Sequence, residues 1–178
     1  MAEAVAEAAA NARGAPLRLT GPAAARLIAL LLPLALLAGA FGSQYLGGLY
    51  PCDMCWWQRY AHMAALVPAA LAFTAPAHSS RARMLALLAA VAIATSGVIA
   101  VYHAGVELGI FEGFTTCTAM ATGGSTADLL KQITAAPLIR CDQVQWSFLG
   151  ISMAGWNAIL SLGGAAVVAF LALRGSRR

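Results

Sequence analysis

The chain has 178 residues, 61% of them hydrophobic and only 10% charged, with a net charge of +4. Soluble domains carry about 25% charged residues, so this composition argues against a water-soluble enzyme and for a membrane protein. The positive balance does not read as nucleic-acid binding, because the arginines are scattered at the ends of apolar runs instead of being clustered on one face.

Residues 1–22 are alanine-rich with scattered polar groups, Gly14, Pro16 and Pro22, and read as an N-terminal tail. A cleaved signal peptide is not expected there, since its apolar stretch would be short and begin earlier. The first apolar run extends from Arg26 to Leu49 and contains Pro33. It is long enough to cross about 30 Å of hydrocarbon as a helix. A second predicted span runs from about Trp57 to Ala75 and is closed by Pro76. The basic turn His78–Arg83 leads to a third span, about Met84 to Gly105. After a long segment, 106–150, the fourth span covers about Ile151 to Leu173, and Arg174, Arg177 and Arg178 close the chain.

The charges sort by side. Arg13, Arg18, Arg26, Arg81, Arg83, Arg174, Arg177 and Arg178 fall on one face, against Arg59, Lys131 and Arg140 on the other. The excess of arginine marks the cytoplasmic side. The expected fold is therefore an all-α membrane protein, an antiparallel four-transmembrane-helix bundle with both termini cytoplasmic. In this reading residues 23–173 form the membrane domain, with outer loops at about 47–56 and 106–150, and residues 174–178 form a short cytoplasmic tail. No β-sheet, internal repeat or second domain is expected.

The four cysteines all lie outside the apolar runs. Pro51-Cys52-Asp53-Met54-Cys55-Trp56-Trp57-Gln58-Arg59 sets a Cys-x-x-Cys pair just before the second span. Such a pair can close a small disulfide or hold a metal, and the disulfide makes it a redox site. Cys55 is placed near a helix N-terminus, where N–H groups and the macrodipole favour a thiolate. Arg59 lies one turn further along the same face, so its guanidinium can reach that sulfur. Cys117 and Cys141 sit on the long outer loop. Between them, Ser125-Thr126 before Asp128-Leu129-Leu130 reads as a capped short helix. Trp146, Phe148, Leu149 and Ile151 are expected at the membrane interface.

Two pairs on one face can exchange by thiolate attack, and disulfides require an oxidising compartment. Electrons would then enter at the loop pair and leave at the membrane, where the apolar acceptor is a quinone. Competing readings are a structural disulfide or a metal clip at Cys52 and Cys55, a structural staple at Cys117 and Cys141, and an Arg59 that snorkels to lipid phosphate. The four cysteines could supply the ligands zinc wants, but a metal leaves Arg59 without a task, and no metal site is expected. His103 divides between packing and quinone contact. His62 is read as a packing or helix contact, Asn157 as an interhelical hydrogen-bonding group, and Glu107 and Glu112 as partner contacts or solvated loop charges.

The Pro-Cys-x-x-Cys-x-x-x-Arg motif after a first span, the second cysteine pair, and Cys141-Asp142-x-x-Gln145-Trp146-x-Phe148-Leu149-Gly150 before the last span together resemble the disulfide bond formation protein B (DsbB) family. The resemblance covers about residues 27–173. It implies a protein-dithiol:quinone oxidoreductase of the bacterial inner membrane, monomeric, with both cysteine pairs facing the periplasm. Its soluble partner would be a DsbA-like thiol oxidase and its cofactor ubiquinone or menaquinone. The resemblance further implies that the reduced partner attacks Cys117, that the freed Cys141 attacks Cys52, and that Cys55 is released as a thiolate facing the quinone. Arg59 would stabilise the developing negative charge, and His103 is the second candidate quinone-binding residue. Three features depart from the family pattern: Gln58 stands where many relatives have an acid, His103 comes one place earlier than the histidine of some relatives, and the loop from Gly105 to Gly113 differs. The runner-up readings are a quinone-coupled thiol reductase of the vitamin K epoxide reductase type and a non-enzymatic four-span protein with structural disulfides.

Overall fold

The computed structural model describes residues 21–113, 125–127 and 139–174. Within them lie four long helices: α1 (Gly21–Tyr45), α2 (Asp53–Leu71), α3 (Ser80–Glu107) and α4 (Met153–Arg174). A 3-10 turn, Ala72–Thr74, extends α2. The expected N-terminal tail, Cys117 and most of the expected loop helix lie outside the described residues.

The local chemistry at the helix ends sets the boundaries. α1 stops at Tyr45, before the end of its apolar run, because Gly47 and Gly48 follow, Gly48 at φ 67°, a conformation that suits glycine. The Leu46 and Gly47 N–H groups both return to the Gly42 carbonyl. α2 begins at Asp53, four residues earlier than expected, because Cys52 serves as its N-cap, its sulfur accepting from the Cys55 N–H at 3.4 Å. Ser79 caps α3 in the same way, accepting from Ala82 N–H at 3.1 Å.

Small residues recurring every three or four positions decide how the helices meet. Ala25 and Ala29 of α1, Ala65 and Ala69 of α2, Ala86, Ala89 and Ala90 of α3, and Ala165 and Ala172 of α4 form one buried cluster around Ile93 and Val168. Such stripes let backbones approach closely, and the contact is dispersion between short side chains. The large aliphatic residues point outward instead: Val67, Met84, Val91 and Val98 are each more than 60% exposed. A protein that buries alanine and exposes valine and leucine is dressed for lipid, and this is a membrane protein.

Among the described residues three helices, α1, α3 and α4, are long and apolar enough to cross a membrane. α2, expected as a fourth span, is 19 residues long and carries Asp53, Gln58, Arg59 and His62, which lower its hydropathy. The expectation of no sheet is corrected in detail. Ser147–Phe148 and Ile151–Ser152 pair as a minimal antiparallel hairpin, β1 and β2, just before α4. Its two turn residues, Leu149 and Gly150, both have positive φ, 52° and 78°, the signature of a two-residue hairpin turn.

The antiparallel order puts opposite chemistry at the two ends. At one end Arg26 of α1 donates to the carbonyls of Ala72 and Ala75 (3.1 and 2.9 Å) and lies over the Phe73 ring. At the other end the start of α2, the end of α3 and the start of α4 converge with the segment around Cys141.

Candidate functional site

The cysteines meet at that second end. Cys52, 5% exposed, and Cys141, 6% exposed, belong to one buried cluster with Met54 and Val106, and Cys55 and Tyr102 pack against it. All three described cysteines are thiols. Cys52 Sγ donates to Cys55 Sγ at 3.1 Å. Cys141 packs beside Cys52 and Met54 in that cluster. A residue from the loop before α4 is thus set against the N-cap of α2. The bond to Cys55 and burial push the Cys52 thiol up to about 12, against a downward pull from His103. Burial, with Cys52 alongside, pushes Cys141 up to about 11. Both favour the neutral thiol, so neither is a spontaneous nucleophile and each needs local help to leave as a thiolate.

Other contacts hold this segment down. Arg140 pairs with Asp142 through two N–H groups and keeps that carboxyl below its usual range. Gln145 donates to the Tyr50 carbonyl at 2.8 Å, tying the segment to the residues just before the Cys-x-x-Cys pair. Trp156 of α4 donates to the Phe148 carbonyl, anchoring the hairpin.

Arg59 is buried at 5% exposure and faces α1. It donates to Gln44 Oε1 and to the Ala40 carbonyl (2.9 Å), and its guanidinium lies 4.9 Å from the Phe41 ring and 5.1 Å from the Trp56 ring. This planar, stacked and bonded geometry suits arginine and not lysine. Trp56 also meets Phe41 edge-on and Tyr60.

His103, near the end of α3, turns toward the cysteines. Its Nε2 is 3.6 Å from Cys52 Sγ and 3.8 Å from Glu107 Oε1, and its Nδ1 is 2.9 Å from Gln58 Nε2. Glu107 is neither solvated nor free: its side chain is 8% exposed and it accepts from Ser152 Oγ. Asn157 bridges α4 to two other helices, donating to Gln58 Oε1 at 2.7 Å and to Ser96 Oγ at 3.2 Å. Its carbonyl oxygen lies 3.0 Å from His62 Nε2 and accepts from Ser161 Oγ at 2.7 Å. The sequence marked His62 and Asn157 as helix contacts, and they contact each other. Gln44 and Ser161 were not singled out. Their signal was a polar group inside an apolar run, which in a membrane helix faces the bundle interior.

Among α1, α2, α3 and α4 at this end lies a cavity of about 730 Å³. Cys52, Cys55, Arg59 and His103 line it, with Leu36, Leu37 and Leu49 as apolar wall and Trp156 and Asn157 from α4. The size falls within the range of small-molecule sites, and an apolar wall with a few converging polar groups is their usual make-up. Cys52, Cys55 and His103 also place their three ligand-type atoms within 4.8 Å of one another, a spacing compatible with a metal ion.

Fold and site together define a class: a helical membrane protein with a buried thiol cluster at the mouth of an apolar cavity. The comparisons with known proteins narrow it. The chain matches the family of disulfide bond formation protein DsbB over residues 22–171, nearly its whole described length, and it belongs to that family. It is 30% identical over 132 residues to the disulfide bond formation protein B of Marinobacter nauticus, covering 70% of this chain and 76% of the relative. The protein of that name from Pasteurella multocida is 32% identical over 117 residues, 64% of each chain. An uncharacterized protein of Rickettsia prowazekii is 23% identical over 139 residues, 76% of this chain and 79% of the relative. No solved structure matches the chain. Membership assigns this protein to disulfide bond formation in a membrane.

Proposed function

We propose that the chain is a thiol oxidase of the bacterial inner membrane that reoxidises a soluble, periplasmic DsbA-like disulfide donor and passes the electrons to a membrane quinone. One observation carries the reading: Cys141 is buried against Cys52, while the partner of Cys52, Cys55, lines an apolar cavity with Arg59 and His103. That geometry joins a loop thiol to a membrane-side pair through a single sulfur.

The chemistry is a succession of exchanges. A thiolate of the reduced donor attacks Cys117 of a Cys117–Cys141 disulfide, forming a mixed disulfide and sending the electron pair to Cys141. Cys141 then attacks Cys52 of the Cys52–Cys55 disulfide, a Cys52–Cys141 bond forms, and the pair passes to Cys55. A quinone bound in the cavity supplies the two-electron sink. Arg59, fixed by Gln44, Ala40 and the rings of Phe41 and Trp56, holds a permanent positive charge beside Cys55 and steadies its thiolate. The cavity fits such a ligand by volume and by the apolar wall that a ring and the start of a polyprenyl tail need.

In this reading α2 is the fourth span, both termini are cytoplasmic, and all four cysteines face the periplasm. Burial supports the role of α2: Gln58, Arg59 and His62 face inward, so the surface it presents outward is Trp57, Tyr60, Val67 and Leu71. The arginine asymmetry supports the orientation.

The test is quinone reduction by the purified full-length protein in detergent, supplied with a reduced DsbA-like donor and ubiquinone or menaquinone. Turnover is expected in the parent and only background in Cys55→Ser and in Cys117→Ser. No turnover with either quinone, from protein whose four cysteines are paired, would sink the oxidase reading in favour of structural disulfides.

A further inference from the structure

The polar groups in the centre of the bundle form one connected chain, and counting its hydrogens fixes the direction of every bond. Ser96 Oγ has a single hydrogen, and it lies 3.1 Å from the backbone carbonyl of Gln58, which can only accept. Toward Asn157 that hydroxyl is therefore an acceptor, and the Asn157 atom facing it at 3.2 Å must be the Nδ2 amide. The same Nδ2 donates to Gln58 Oε1 at 2.7 Å. With its oxygen so engaged, Gln58 turns its Nε2 amide to His103 Nδ1 at 2.9 Å. An amide nitrogen can only donate, so Nδ1 is bare and the ring hydrogen sits on Nε2. That nitrogen faces Cys52 Sγ at 3.6 Å. The groups around it are Cys52 and Glu107, whose carboxylate oxygen lies 3.8 Å away, and the backbone of Cys141.

We propose that Asn157 and Gln58 are positioning residues that lock His103 in the Nε2–H tautomer, so that His103 presents a hydrogen-bond donor to Cys52 whenever that sulfur carries the electron pair. The proposal rests on the exchange chemistry above and adds to it the group that makes Cys52 a competent leaving thiolate.

When the Cys117 thiolate, freed as the oxidised donor leaves, attacks Cys141 of the Cys52–Cys141 disulfide, the Cys117–Cys141 bond forms, the Cys52–Cys141 bond breaks, and its electron pair goes to Cys52 Sγ. No net electrons are lost or gained by the protein. His103 donates a hydrogen bond to the new thiolate but keeps its proton, because Gln58 offers Nδ1 an amide and no proton to replace the one given up. The relay is a tautomer lock and not a proton wire. Without it, Cys52 would be a poor leaving group in its buried setting among neutral thiols.

The same bookkeeping decides between this role and a metal site. A histidine that ligates through Nε2 must bare that nitrogen and donate from Nδ1 to an outer acceptor. Here Nδ1 meets a donor, so the cluster of Cys52, Cys55 and His103 offers a metal two sulfurs and an N–H.

The chain has three histidines, which makes the tautomer directly readable. Full-length protein in micelles, labelled with 15N in histidine, is examined by long-range proton–nitrogen correlation, with His62→Gln and His78→Gln used for assignment. The parent is expected to show His103 as the Nε2–H form. In Gln58→Glu the carboxylate accepts from both sides, so Nδ1 gains a proton. In Asn157→Ala the Gln58 amide is free to turn, and the signal becomes a mixture of tautomers. Turnover of Asn157→Ala is expected to fall about tenfold in kcat with KM for quinone unchanged, the size of one lost hydrogen bond to a charged group. An Nδ1–H form in the parent, or a pure Nε2–H form retained in Asn157→Ala, overturns the proposal. So does a rise in KM alone, which would mean that Asn157 only shapes the cavity. The tautomer is read without turnover, so a parent that fails to reduce quinone sinks the oxidase reading and leaves the lock to be judged by the spectrum.

Discussion

The two halves of this bundle are built from the same four helices but solve different problems. Toward the Arg26 end the interior is almost all alanine, with Ile93 and Val168 as the largest side chains. Toward the cysteine end the same helices bury Gln58, Arg59, His62, Ser96, His103 and Ser161. The alanine cluster itself contains no polar side chain, Arg26 binding the Ala72 and Ala75 carbonyls at its edge, and its tightness comes from dispersion at close approach. The polar half is held by directional bonds, in which nearly every donor and acceptor has a partner and the partners fix one another. The difference teaches that one half sets the frame and the other sets protonation. Damage to the first should appear as instability, and damage to the second as lost chemistry in a folded protein.

The sharpest way to break that division is at the sulfurs. Cys52→Ser and Cys55→Ser are expected to take quinone reduction to background, while thermal unfolding in detergent changes by no more than about 1 kcal/mol, the usual scale of a near-isosteric polar change. A large loss of stability in both variants would mean that the pair is a staple. The converse experiment is Ala89→Leu. Ala89 is fully buried where helices touch, and overpacking there costs about 1–3 kcal/mol or more. The expected result is a lowered unfolding temperature, with turnover per folded molecule within about twofold of the parent, read by titrating active sites. Gly164 and Gly97 belong to the same group: a Cβ at Gly164 would collide with Leu32 and one at Gly97 with Leu162.

Next in size is Arg59→Lys. Lysine keeps the charge but loses the planar stacking on Phe41 and Trp56 and the paired donation to Gln44 and Ala40. A rise of about tenfold in KM for quinone, with the fold intact by circular dichroism, is expected. An unchanged KM and kcat would show that Arg59 serves α1–α2 packing and not the ligand.

The long helices of the frame were readable in the sequence because they depend on apolar run length along one chain, whereas the alanine stripes that join them were not read. The placement of the Cys-x-x-Cys pair at a helix start was readable because its spacing is local, one turn of one helix, whereas the Arg59 contacts to Gln44 and Ala40 of α1 were not. The partnership of Cys141 with Cys52 came only through family resemblance, since nothing local to either residue specifies the other. The amide relay was harder still. Asn157 and His62 were marked singly as helix contacts, but the direction of each bond depends on Ser96 and Gln58, and it emerges only when α2, α3 and α4 are brought together. The hairpin before α4 escaped because its turn puts Leu149, not glycine or asparagine, at a positive φ. α2 was expected as a span from its apolar run, and its inward polar face lowers the average hydropathy of a helix whose outward face is apolar.

The smallest expected effect concerns alkaline pH, and it separates the halves without altering the frame. In the reduced protein the Cys52 and Cys141 thiols are pushed from about 9 up to about 12 and about 11. The folded state therefore prefers their neutral forms more than the unfolded chain does. A raised folded value gives stability that is fully present below pH 9, where both states are protonated, and that is lost as pH rises through the folded values. Thermal unfolding under reducing conditions should thus weaken progressively from about pH 9 to 11. Cys52→Ala with Cys141→Ala should flatten that slope, whereas Ala89→Leu should lower the whole curve and leave its slope alone. An equal alkaline slope in the double cysteine variant would assign the loss to other groups. The buried thiols would then contribute nothing to folding, and the cysteine end would be a site of chemistry alone.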